Sequence, residues 1–516
     1  MRYRISYFLI ICTLAVLSAC SHSLETRQRE DALVACHQIS AAISSHSAVF
    51  APGTLHANGP FGCTDAYHDL ESSYYSESPE YSEDIEHWVS SSSQPSVCSV
   101  EPGNVEDLSK ILLIIASHRV PFAVKGGGHI MNPGFSSTRG VHIAMSRFSE
   151  INYDASTQTV DVGAGLAFND VYDALEPFGV TVVGARLPGI GVAGFTLGGG
   201  FSWFSNDRGL AVDNVLAFGL VLPNGTYTDV NESSNPDLFF GLKGGSNNFG
   251  IVTKFTFKTY PQGQVWGGTY FIRGDYLDKV NAAISKFTSP LQDPKASLMA
   301  GYTFSNGSAS AALWLFYNGP TPAPGTFDDI LAIPAYQQNV STQSFASLIR
   351  NIPNTLQPGA RGVFNTLSLT SHPEALLKAV VNETTFWGES LISEPGISST
   401  YILQPFLPSA FTHGPDGSSA FPFSHRLMLP ACISYIWTNS TLDALMYEVT
   451  RRSTRHLALV AEAEGQDIAD LPLYGNYAIF RTPLERIYGE NLGRLRSIKR
   501  QYDPNNVMAL TGGWKF

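Results

Sequence analysis

Phe122-Ala123-Val124-Lys125-Gly126-Gly127-Gly128-His129 is the stretch on which the reading of this chain turns. The apolar residues after Pro121 read as a short buried strand, and three consecutive glycines follow at once. Packing offers no reason for three glycines in a row. Without Cβ atoms they let successive backbone N–H groups turn toward one point and let a ligand approach closely. Such a nest suits an anion, above all a pyrophosphate. A sharp turn is the plainer reading of one such run. A second cluster, Gly194-Phe195-Thr196-Leu197-Gly198-Gly199-Gly200, stands about 65 residues further on, and the pair points to a dinucleotide.

Just before that cluster, Gly189-Ile190-Gly191-Val192-Ala193-Gly194 spells the G-x-G-x-x-G fingerprint, and Asp213 falls near the place of a ribose-binding acid. That reading is rejected, because Phe-Thr-Leu-Gly-Gly-Gly is a poor helix start and the motif follows several strands instead of opening a domain. Around the clusters, Asn104 caps a helix with Val105, Leu108, Ile111, Leu112 and Ile115 on one face. Strands are predicted at Val141–Met145, Val160–Val162 and Thr181–Val183, a helix near Phe168–Leu175, and a hairpin about Pro223-Asn224-Gly225. From about 264 to 450 the glycine loops give way to mixed aromatic, Ser and Pro segments, read as a second α+β domain. The tail carries Tyr488, Leu492, Leu495 and Ile498 at helical spacing and stops at Asp503-Pro504.

The 516 residues suit two or three lobes. A net charge of −12, with no Lys/Arg run, argues against nucleic acid as a partner. Arg2 and Arg4, the apolar run Ile5–Leu17, and Ser18-Ala19 describe a secretory leader too short to span a bilayer comfortably. Leu17-Ser18-Ala19-Cys20 also has the form of a lipoprotein box, which would anchor Cys20 to lipid. Six N-x-S/T sites, at Asn224, Asn231, Asn306, Asn339, Asn382 and Asn439, exceed what chance gives and favour N-glycans and export. In an oxidising compartment the cysteines left after the leader, Cys36, Cys63, Cys98 and Cys432, favour a disulfide over a metal site. Cys36–Cys98 is the preferred bridge, since both flank the start of the first domain; Cys63 and Cys432 read equally well as buried free thiols.

Lys125–His129, Gly191–Trp203, Asp237–Thr253 and the terminal Tyr-Asp-Pro-Asn-Asn-Val with Gly-Gly-Trp-Lys together resemble the vanillyl-alcohol oxidase / p-cresol methylhydroxylase flavoproteins. Within them the chain is similar to the berberine bridge enzyme-like branch and to fungal secreted oxidoreductases related to gluco-oligosaccharide oxidases. The resemblance implies an α+β fold: a two-lobed PCMH-type FAD-binding domain with an inserted antiparallel-sheet substrate domain. After the leader over 1–20, the Ser-rich stretch over 21–90, broken by Pro and Gly, reads as an arm over the first domain; the division continues with the FAD domain over 91–263, the substrate domain over 264–450 and a segment over 451–516 returning to the FAD domain.

The same resemblance implies FAD, bonded through its 8α-methyl to His129 alone, because Leu187 occupies the place of the second, cysteinyl link. Lys125, Gly126, Gly127, Gly128, Gly194, Gly198, Gly199, Val252 and Asn505 are the further candidate cofactor contacts, and no metal is implied. Tyr474-Gly475-Asn476-Tyr477 matches the family's Tyr-x-Asn-Tyr, which makes Tyr477 the candidate catalytic base. A free tyrosine ionises near pH ~10, so it needs a nearby cation or proton removal in concert with hydride loss. Where the berberine branch has a glutamate, counting from Ser424-His425-Arg426 reaches Cys432, which argues against alkaloid ring closure. The expected reaction is oxidation of an alcohol or hemiacetal, with hydride passing to FAD and O₂ reduced to H₂O₂. A sugar or oligosaccharide fits an extracellular enzyme, and a secondary metabolite is the rival. A dehydrogenase with another acceptor and a flavoprotein that only binds ligand complete the alternatives.

Overall fold

A computed structural model of the chain describes residues 25–50, 78–287, 293–305, 307–354, 356–394, 396–415, 417–422 and 427–516. The expected leader with its Cys20, Cys63, Asn306 and Ser424-His425-Arg426 lie outside these residues.

The first domain begins as the sequence suggests. Asn104 accepts from the Asp107 amide at 2.8 Å and starts the helix Val105–His118, which buries Leu108, Ile111, Leu112 and Ile115. Four strands stand beside it: β1 (Ala48–Phe50), β2 (Cys98–Glu101), β3 (Phe122–Lys125) and β4 (Val141–Ala144). They pair in the order β1-β2-β4-β3, and β4 runs parallel to both neighbours. Next come β5 (Ile151–Asp154), β6 (Thr159–Gly163), β7 (Val180–Thr181), β8 (Val215–Val221), β9 (Tyr227–Asn231), β10 (Ile251–Lys258) and β11 (Tyr260–Pro261). Five of them form an antiparallel sheet in the order β5-β6-β10-β8-β9, while β7 and β11 pair separately. β8 and β9 are the hairpin about Pro223-Asn224-Gly225.

The inserted domain is one antiparallel sheet. Its strands are β12 (Val265–Arg273), β13 (Ala296–Ser305), β14 (Ser308–Tyr317), β15 (Ala335–Gln343), β16 (Arg361–Leu369), β17 (Ser398–Leu403) and β18 (Leu429–Trp437), in the order β15-β12-β14-β13-β17-β18-β16. Strand periodicity divides its residues between two faces. Leu298, Ala300, Leu313, Leu315, Ala431 and Ile433 join the core under the helices Leu277–Phe287, Glu374–Ser390 and Asp443–Ala463. Met299, Trp314, Ile402 and Cys432 face a cavity shared with the first domain. The tail then returns: Ile487, Leu492, Leu495, Ile498 and Trp514 belong to the same core as the helix Val105–His118. This is the PCMH-type arrangement, an N-terminal block plus a C-terminal tail around an inserted antiparallel sheet.

Several details differ from the sequence reading. Part of the arm is a regular helix over 25–42, whose Ala32, Ala35, Cys36 and Ile39 are buried at helical spacing. Its charged first turns and the exposed Leu33 and Val34 on the outer face masked that stripe. The Cys36–Cys98 disulfide ties it to β2, while Cys432 is a buried free thiol. The strand expected over Thr181–Val183 reduces to the two residues of β7. Position 450 falls inside the helix Asp443–Ala463, which packs on β16 and β18. The fingerprint Gly189–Gly194 does open a helix, Val192–Leu197, against the expectation of a poor start, but Gly198 ends it after six residues. Asp213, with its carboxylate accepting from the Leu210 amide at 2.9 Å, caps a turn. Among the described residues no helix is long and apolar enough to cross a membrane.

Candidate active site

The two glycine clusters meet backbone to backbone. A Cβ on Gly127 would lie 2.5 Å from Gly191 Cα, so neither loop could hold a larger residue there. The amides of Gly126, Gly127 and Gly128, and those of Ala193 and Gly194 in the first turn of Val192–Leu197, find no protein acceptor among the described residues. Unpaired donors are costly unless something answers them. A Cβ on Gly194 would meet nothing within 4 Å, because it would project into the cavity of about 300 Å³ that both clusters border. A donor-lined, side-chain-free cradle opening on an apolar chamber fits a diphosphate joined to a flat ring system.

His129, the residue after Gly128, also lines the chamber. Its ring stacks on Trp88, with centroids 4.2 Å apart and planes 15° from parallel. Asn354 bridges the surroundings: its Nδ2 lies 3.4 Å from His129 Nε2 and donates to the Pro188 carbonyl at 2.7 Å, while its own carbonyl accepts from Trp88 Nε1 at 3.1 Å. Burial lowers the His129 pKa to about 4, so the imidazole is neutral and nucleophilic at ordinary pH.

Tyr477 arrives on the Tyr474–Tyr477 turn. Asn476 pins that turn to the second glycine cluster, donating to the Phe195 carbonyl at 3.1 Å, and Trp514 Nε1 donates to the Gly475 carbonyl at 3.1 Å. Asn132 holds the next residues through the Ala478 carbonyl and the Phe480 amide. The phenol oxygen of Tyr477 accepts from Arg186 Nη2 at 3.1 Å, and the same nitrogen donates to Gln404 Oε1. Burial raises the Tyr477 pKa; the Arg186 guanidinium opposes that rise. Cys432, also in the wall, is held as a thiol by its burial.

The structure therefore gathers Gly126, Gly127, Gly128, His129, Gly194, Val252 and Tyr477 around one cavity. Four candidates stand elsewhere. Lys125 turns its Nζ back onto the Glu83 and Asp84 carbonyls, both at 2.8 Å. Gly198 is needed because the Asn476 side chain occupies the place of its Cβ, and Gly199 because its φ is +111°. Asn505 is exposed, and its carbonyl accepts from Arg119 at 2.7 Å. Sequence reasoning missed Trp88, Arg186, Asn354 and Gln404, which come from four distant segments and share no local motif.

The fold and this chamber define an FAD-dependent oxidoreductase. An FAD binding domain model matches residues 97–231, and a berberine and berberine-like model matches residues 473–511. An FAD-linked oxidoreductase of unknown role from Arthroderma benhamiae is 36% identical over 69% of this chain and 73% of its own. The FAD-dependent monooxygenase drtC from Aspergillus calidoustus is 31% identical over 81% and 83%. Among solved structures, the Physcomitrella patens BBE-like 1 protein covers 92% of this chain and 97% of its own, with TM-score 0.73 and 21% identity. The glucooligosaccharide oxidase from Acremonium strictum, with its 6-S-cysteinyl, 8α-N1-histidyl FAD, covers 82% and 92%, with TM-score 0.65 and 17% identity. The chain belongs to the family of FAD-linked oxidoreductases with a berberine-like C-terminal segment.

Proposed function

We propose that this chain is a secreted oxidase that carries FAD bonded to His129 alone and oxidises a hydroxyl-bearing carbon of a small apolar metabolite, with Tyr477 as base. The observation that carries this reading is that Tyr477 and the Trp88-stacked His129 line one cavity beside the glycine cradle. FAD bound there would accept a hydride and hand the electron pair to O₂, giving H₂O₂. Tyr477 Oη takes the hydroxyl proton as the carbon–oxygen double bond forms, and Arg186 stabilises negative charge on that oxygen. Trp88 and Asn354 hold the His129 ring at a fixed angle. Leu187 in place of a cysteine leaves one attachment point, unlike the doubly linked Acremonium enzyme.

The walls favour a metabolite over a sugar. Phe135, Met299, Trp314, Phe364 and Ile402 offer stacking and apolar contact but few partners for sugar hydroxyls. Export rests on the Cys36–Cys98 disulfide and on exposed sites at Asn224, Asn339, Asn382 and Asn439.

Anaerobic mixing with benzylic alcohols and with oligosaccharides tests the reading. Bleaching of the flavin band by an aromatic alcohol, followed by one H₂O₂ per carbonyl product on admitting air, is the expected result. Bleaching by oligosaccharides alone would restore the sugar reading, and a flavin untouched by the whole panel would favour a ligand-binding role. The name of the Aspergillus calidoustus relative supports a second reading, monooxygenation; label from ¹⁸O₂ appearing in the product would select it.

A further inference from the structure

Arg186 is only 6% exposed, yet it lines the cavity beside Tyr477. Its two hydrogen bonds, to Gln404 and to Tyr477, both leave from Nη2. The three N–H donors on Nε and Nη1 have no protein acceptor among the described residues. No carboxylate there lies within ion-pair distance of the guanidinium. Among the residues lining the cavity, Arg186 alone carries a formal charge, because burial keeps His129 neutral.

A buried cation without a counter-ion is unfavourable, since the charge leaves water and nothing of opposite sign replaces the hydration. Elsewhere Lys499 pairs with Asp503 at 3.0 Å and Arg361 with Asp443, while the buried Lys243 lies over the Phe239 ring with no ion pair among the described residues. At Arg186 the compensation is partial. Gln404 contributes a neutral acceptor, and Trp203 and Phe406 present their rings 5.9 and 5.6 Å from the guanidinium carbon.

We infer that Arg186 is the anion-recognising residue of the substrate site, so that the enzyme acts on an apolar metabolite bearing a carboxylate. This rests on the proposed alcohol oxidation and names the class of substrate it takes. Arg186 holds the carboxylate through its unused donors while keeping Tyr477 in place through Nη2. One cation thus sets both the position of the substrate and that of the base.

Benzoate and its neutral isostere benzamide are the probes, titrated into the purified flavin-loaded protein at pH 7 and followed by the flavin difference spectrum. Benzoate is expected to bind at least tenfold tighter than benzamide. Arg186→Gln should abolish that preference and leave benzamide binding within about twofold, while Arg186→Lys keeps part of it. Equal affinities in the unaltered enzyme, no saturable benzoate signal, or a preference that survives in Arg186→Gln each overturn the inference. Should the Gln variant fail to fold, the benzoate-to-benzamide ratio of the unaltered enzyme decides alone. A preparation that carries no flavin contradicts the proposed function itself, whereas a flavin-loaded enzyme without the preference contradicts only the assignment of Arg186.

Discussion

Tyr477 and Arg186 meet across 291 positions of sequence, and their contact is what turns a buried phenol into a candidate base. A Tyr477→Phe variant should keep its flavin and lose about 10²- to 10⁴-fold in kcat, the usual worth of a positioned proton acceptor, as read by steady-state oxidation. Because burial raises the Tyr477 pKa, the ionised base is scarce at neutral pH and grows with alkalinity. Turnover should therefore climb with pH through the neutral range without levelling off below about pH 10; a plateau near pH 7 would point to another base. Tyr477 was legible because Tyr-x-Asn-Tyr is a local pattern. Arg186 was visible only as the residue before Leu187, since nothing local tells a buried unpaired arginine from a surface one.

Among the elements, the glycine clusters were the most legible part, because a run of three glycines has few purposes. Their individual roles were less so. Gly198 makes room for Asn476 and Gly199 turns the chain, whereas Gly126–Gly128 and Gly194 border the cavity itself. A Gly127→Ala variant forces a methyl against Gly191, and flavin per chain, measured by absorbance, should fall at least tenfold. Full flavin occupancy there would show that the loops can separate. The helix over 25–42 was hidden for a different reason. Its buried stripe is narrow and the apolar Leu33 and Val34 lie outside it, which blurs a spacing that only its packing against the first domain reveals.

At the scale of the whole molecule, the split chain and the returning tail followed from the resemblance, while the sheet order and the aromatic wall depend on long-range pairing that no sequence window contains. Burial also sets an acid response. His87, His142 and His372 have pKa values lowered to about 4, 3 and 4, against about 6.5 when unfolded. The unfolded chain therefore binds more protons below pH 6.5, and the stability these groups give at neutral pH is lost as pH falls toward 4. Asp84, raised to about 6, works the other way, its contribution growing as pH falls through 6. Three histidines outweigh Asp84 and Asp213, whose carboxyl pKa burial also raises, so the urea midpoint should be lower at pH 5 than at pH 7; an unchanged or higher midpoint would contradict the burial of these rings. Acid precipitation of the purified protein shows whether the flavin is bonded to His129 in the glycine-lined chamber. The expected result is a yellow pellet that retains its flavin, and a His129→Ala variant whose flavin stays in the supernatant. A colourless pellet from the unaltered protein, with all its FAD released, would contradict it.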